Sequence, residues 1–125
     1  MTMSSNGKTK VVGIDFDGVI VEFNGWKGSD HVGEVRWSDR PIGNLERLKE
    51  LDFKIMIYTC RSKLSPVREV LKKHCIPYDY VNENPHQPES VSERKIFADH
   101  YIDDRFPGFV SLTRSVDLIV EEEDR

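Results

Sequence analysis

The run Val11-Val12-Gly13-Ile14-Asp15-Phe16-Asp17 constrains this chain more than any other stretch. It is short, continuous and rich in β-branched residues until it meets two carboxylates, the pattern of a strand buried on both faces of a parallel sheet. Parallel neighbours cannot be joined by tight turns, so each pair needs a long crossover, usually helical. The rest of the sequence supplies such crossovers. Pro41 suits the first turn of a helix running to about Leu51, with Ile42, Leu45, Leu48 and Leu51 as its apolar stripe. Lys54 to Tyr58 reads as a second buried strand ending at Thr59. Ser65 and Pro66 read as an N-cap and a first helical proline, with Val67, Val70 and Leu71 continuing that helix to about His74. Tyr78 to Val81 is expected as a third strand, Asn82 to Ser92 as a loop, and Glu93 to Asp99 as one or two helical turns. Tyr101 to Asp104 is a fourth strand, and Leu112, Val116, Ile119 and Val120 suggest a closing helix, with a strand near Leu118 as the alternative. Strands alternating with helices predict an α/β fold, a doubly wound and mostly parallel sheet flanked by helices.

The 125 residues suit one domain, 1–125, with 1–9 as a flexible tail. Residues 18–43, rich in glycine and carrying Trp26 and Trp37, read as a loop or small flap with a hairpin around Gly33 to Trp37. The 18 Lys and Arg against 22 Asp and Glu give a net charge of −4, which argues against a nucleic-acid grip built on clustered positive charge. Apolar runs of about four residues fall far short of the roughly 18 a membrane span needs. No signal peptide is visible at the start of the sequence, and Cys60 and Cys75 make no disulfide framework, so a cytoplasmic location is expected. Both cysteines read as small buried hydrophobes.

Ligands of open parallel sheets bind outside the carboxyl ends of the strands. Here the first strand ends in Asp15 and Asp17, the second in Thr59 and the fourth in Asp103 and Asp104, so four carboxylates and a hydroxyl are expected at one edge. Lys95, on the segment leading into the fourth strand, could reach the same edge. Like charges held that close repel, and a divalent cation is the simplest remedy. All-oxygen ligands favour Mg²⁺ over zinc. Taken singly, each residue has an ordinary structural use: a strand-end acid is commonly solvated, Thr59 could bond backbone, and Lys95 could be a surface lysine. Two acids directly after a buried strand have no such use. Gly18 would relax the backbone so that its N–H groups can cradle an anion. Arg61 could clamp a substrate with its bidentate fork or simply lie at the surface. Trp26 and Trp37 could cover the site or pack on the domain. His31, His74, His86 and His100 show no ligand spacing.

These elements, in this order, resemble the haloacid dehalogenase-like (HAD) superfamily of phosphotransferases. Asp15-x-Asp17-Gly18-Val19 after an apolar strand is similar to its first motif, Ile55 to Thr59 to its second, Lys95 to its third, and Tyr101-Ile102-Asp103-Asp104 to its fourth. The resemblance spans about Val11 to Asp104 and implies a Rossmann-like core. It also implies Asp15 as a nucleophile forming an aspartyl-phosphate, Asp17 as general acid and base, Thr59 and Lys95 as phosphate holders, and a Mg²⁺ site drawn from Asp15, Asp17, Asp103 and Asp104. Neither the 17–59 nor the 59–95 interval leaves room for a large cap domain, so the chain resembles the capless members. The expected activity is a phosphomonoester phosphatase on a phosphorylated substrate of unspecified identity, without membrane partners and with a homo-oligomer open. The alternative is a non-catalytic or regulatory phosphate-binding module such as a receiver. Receivers resemble the reverse order, with the adjacent acid pair early and a lone acceptor Asp in mid-chain. Removing one acid should also relieve repulsion, so metal-free Asp103→Asn or Asp104→Asn is expected to be at least as stable as the unaltered chain.

Overall fold

Strand β1, Val11–Asp15, is buried along its whole length because it has a hydrogen-bonded neighbour on either side. The computed structural model describes residues 9–87 and 96–124. In it β1 pairs in parallel with β2, Lys54–Tyr58, in the register Val11↔Lys54 to Asp15↔Tyr58. On its other side lies β4, His100–Ile102, from Val12↔His100 to Ile14↔Ile102. The short β3, Tyr80–Val81, flanks β2, so the sheet order is β3-β2-β1-β4, all parallel. The expected tail before Thr9 and the expected phosphate holder Lys95 lie outside the described residues.

Three helices, α1 (Pro41–Glu50), α2 (Ser65–Lys73) and α3 (Leu112–Glu123), flank this sheet. Leu45, Leu48, Val67, Leu71, Leu112, Val116 and Ile119 form one core with Val12, Ile14, Ile55, Ile57, Val81 and Ile102. The alternate strand residues Val11 and Met56 point the other way and pack with Ala98 and Ile96. Crossover handedness accounts for this: β1 to β2 to β3 steps in one direction, so right-handed connections put α1 and α2 on the same face. The chain then returns past β1 to β4. No cap domain stands over the strand ends among the described residues, and a sheet of this form is the α/β architecture the sequence predicts.

Several local expectations are corrected. Ser65 lies inside α2, whose N-cap is Leu64 with no side-chain cap bond. Residues 96–99 carry no helix, and Glu93 to Lys95 lie outside the described residues. Gly33 to Trp37 is not a hairpin turn but contains one arm of a minimal ribbon: Val21 and Val35 form an antiparallel bridge, and the Arg36 N–H donates to the Ile20 carbonyl at 2.9 Å. Leu118 is helical, and the acidic run Glu121 to Glu123 continues α3. Both cysteines are exposed, not buried. Cys75 follows the end of α2 with φ 55°, a left-handed residue terminating the helix, and Cys60 follows the end of β2.

The N-terminus of α3 is held from a distance. Buried Asp39, in the 3-10 turn Trp37–Asp39, accepts from the Leu112 N–H at 2.6 Å, the Thr113 N–H at 3.0 Å and the Thr113 hydroxyl at 2.7 Å. Ser111 accepts the next N–H, that of Arg114, at 3.0 Å. The loop 18–43 is thereby fastened to the last helix. Asp39→Ala would leave the buried Leu112 N–H and the half-buried Thr113 N–H without that partner, so a loss of about 3 kcal/mol of stability is expected. Urea unfolding of the two proteins checks it, and a difference below about 1 kcal/mol would contradict the assignment.

Candidate functional site

The sheet order reverses between β1 and β4, and the acids ending those two strands meet there. Asp15 closes β1, while Asp103 and Asp104 follow β4 directly. One carboxylate oxygen from each lies within 4.8 Å of the other two. Asp15 and Asp103 are buried, at 8% and 3% exposure, whereas Asp104 is open to solvent. Gly18 makes their approach feasible. Its φ of 94° belongs to glycine, and a Cβ there would overlap the Asp104 carboxylate.

Among the described residues, Asp103 is held by more donors than its neighbours. The Tyr58 hydroxyl donates to it at 2.8 Å, and Arg105 donates through its backbone N–H at 2.9 Å, Nε at 3.2 Å and Nη2 at 2.9 Å. Burial opposes ionisation of Asp103, but the Arg105 and Tyr58 hydrogen bonds outweigh it and hold the carboxyl down to about 2. Asp15 goes the opposite way. Burial, then the negative charges of Asp103 and Asp104, push its carboxyl up to about 7 against the weaker pull of Arg105. The three acids therefore resist being ionised together without a compensating positive charge. The ligand atoms they offer are all hard carboxylate oxygens, so the cluster could hold a metal ion. The relief of repulsion expected from Asp103→Asn passes to Asp15, because Asp103 is the acid already neutralised by its neighbours.

Asp17, expected among the metal ligands, does not join the three. Its carboxylate accepts both arms of the Arg61 fork, Nε at 2.9 Å and Nη2 at 2.8 Å. Arg61 is accordingly neither at the surface nor free to clamp: its side chain is 4% exposed, and Nη1 donates to the Ser29 carbonyl at 3.2 Å. Hydrogen bonding to Asp17 raises the Arg61 guanidinium above its ordinary value. Thr59 sits one strand over, where its hydroxyl accepts the Arg61 N–H at 3.1 Å. Asn82 grips Thr59 reciprocally, accepting its N–H at 2.8 Å and donating to its carbonyl at 2.9 Å. Asn82 does so at φ 52°, a left-handed conformation that asparagine tolerates.

A cavity of about 390 Å³ opens beside the cluster, lined by Asp15, Asp17, Phe23, Trp26, Cys60, Arg61, Asp104 and Arg105. Thr59 and Asp103 line a neighbouring cavity of about 360 Å³ with Tyr58, Asn82 and Tyr101. Loop 18–43 thus reaches the site through Phe23 and Trp26. Trp37 does not line it, standing edge-on to His74 at 5.4 Å between ring centres. Tyr58, Asn82, Phe23 and Arg105 were not among the residues singled out in the sequence. Arg105, directly after the acid pair, carried the one local signal that could have found it.

No family model matches this chain, and no curated protein is similar to it in sequence. Among solved structures, a conserved protein from Bacteroides thetaiotaomicron superimposes with a TM-score of 0.68 at 21% identity, covering 92% of this chain and 93% of that one. The likeness is one of fold. Among the described residues, no helix is long and apolar enough to cross a membrane.

Proposed function

We propose that this chain is a Mg²⁺-dependent phosphomonoester hydrolase of the haloacid dehalogenase-like type, working through an aspartyl-phosphate on Asp15. The observation that supports it best is the three-acid cluster at the sheet's switch point, with Asp17 lining the same cavity as two of its members, Asp15 and Asp104. A divalent ion held by Asp15, Asp103 and Asp104 would supply positive charge to the oxygens of the transferring phosphoryl group.

The remaining chemistry belongs to the side chains. An Asp15 oxygen forms the new bond to phosphorus as the bond to the ester oxygen breaks. Asp17 would give that leaving oxygen its proton, for which one arm of the Arg61 fork has to let go of the carboxyl, and then take one from the water that hydrolyses the acyl phosphate. Arg61 is the positioning residue, since its two bonds set the direction of the Asp17 carboxylate. Tyr58 and Arg105 fix Asp103 in the same sense. Thr59 and Lys95 are the proposed phosphate holders, Gly18 gives the loop after Asp15 its close turn, and the free thiols of Cys60 and Cys75 fit a reducing, cytoplasmic compartment.

Phosphate release from para-nitrophenyl phosphate is expected with Mg²⁺, to vanish in excess chelator, and to return when Mg²⁺ is restored. Full activity in excess chelator would contradict the metal requirement. No release under any metal condition would favour a non-catalytic phosphate-binding role.

A further inference from the structure

The cavity beside the acids is much larger than a phosphoryl group, at about 390 Å³, and falls in the range of sites that enclose a whole small molecule. Its lining is divided. Asp15, Asp17 and Asp104 line it together with Phe23 and Trp26, two large aromatics that are 49% and 61% exposed. Trp26 is braced. The Arg61 guanidinium carbon lies 5.3 Å from its ring centre, within cation–π range, and Arg61 is itself fixed by Asp17 and the Ser29 carbonyl. Gly25 and Gly28, with φ of 96° and 101°, fold the loop on either side of Trp26. A ring supported by a buried cation on one side, and open for most of its surface, is a stacking surface already ordered before a ligand arrives.

We propose that this cavity selects phosphomonoesters whose leaving group carries a flat aromatic ring, which stacks on Trp26 with Phe23 beside it. This deepens the phosphatase reading and rests on it. The aromatic ring could belong to a nucleobase or to an aryl group, and paired substrates separate the two. AMP and ribose-5-phosphate share the same reacting ester and differ by the base. Benzyl phosphate and cyclohexylmethyl phosphate share a primary alkyl ester and differ in aromaticity.

The experiment measures kcat/KM for both pairs in wild type, Trp26→Leu, Trp26→Phe and Phe23→Leu. At least one aromatic member should be preferred by about tenfold, the scale of one base–aromatic stack. That preference should fall to near unity in Trp26→Leu, survive largely in Trp26→Phe, and weaken in Phe23→Leu. Preference confined to AMP assigns a nucleobase, and preference confined to benzyl phosphate assigns an aryl group. Equal rates within both pairs, or a preference that Trp26→Leu leaves intact, would overturn the proposal. Should wild type release phosphate from none of the four, release from para-nitrophenyl phosphate decides the phosphatase reading separately. Calorimetric Kd values for the same pairs on wild type and Trp26→Leu then decide the stacking surface by the same criteria.

Discussion

Replacing Asp15 with asparagine is expected to lower phosphate release by on the order of 10⁴-fold or more, because the attacking oxygen becomes a neutral amide and the cation site loses a charge. The same change is expected to stabilise the metal-free protein. Burial and two negative neighbours raise the Asp15 carboxyl from 3.8 to about 7, so the folded chain holds a proton there that the unfolded chain has already released. Stability therefore falls as pH rises from about 4 to about 7, by up to about 4 kcal/mol. Asparagine does not ionise. Metal-free Asp15→Asn should match wild type near pH 4 and exceed it above pH 7, and Mg²⁺ should stabilise wild type more than the variant. Thermal melts across pH, with and without Mg²⁺, check the stability half of this. Asp103→Asn is the contrast: its carboxylate receives donors from Tyr58 and Arg105, so the substitution should destabilise. A variant Asp15→Asn that melts below wild type at pH 8 without metal would contradict the electrostatic account.

Asp17→Asn is expected to act differently. The nucleophile survives, but proton transfer to the leaving oxygen and from water is lost, an effect of about 10² to 10⁴ in rate. An asparagine also cannot accept both arms of the Arg61 fork, so the position set by that pair loosens. Para-nitrophenolate leaves readily without a proton, so the first step should persist with this substrate while hydrolysis stalls. The variant should then accumulate covalently bound phosphate. Equal losses in both steps, with no accumulation, would assign Asp17 a purely structural role.

The strand ends were the most legible part of the chain. Lys54 to Tyr58 emerged with the bounds expected of it, because an apolar run flanked by charged and polar residues leaves little choice. Asp15, Asp103 and Asp104 were legible for a related reason: acids directly after such runs must gather where parallel strands end. What local pattern could not supply was pairing across distance. Asp17 and Arg61 are 44 positions apart, and nothing near either residue signals that the guanidinium takes both carboxylate oxygens. Asp39 capping a helix 73 positions later is the same kind of event. The cysteines depart from the usual burial of that residue type because they lie just beyond a strand and a helix, where the chain is at the surface. Ser65 carried an N-cap's composition, yet the helix takes it in as a helical residue after Leu64.

The most direct test of the central claim is a rapid-quench measurement of phosphate covalently bound to wild type, Asp15→Asn and Asp17→Asn, using labelled para-nitrophenyl phosphate and Mg²⁺. A transient phosphoprotein in wild type, a larger and longer-lived one in Asp17→Asn, and none in Asp15→Asn is the predicted result. Bound phosphate in Asp15→Asn, or none in wild type and Asp17→Asn while wild type turns over, would mean that Asp15 is not the attacking group.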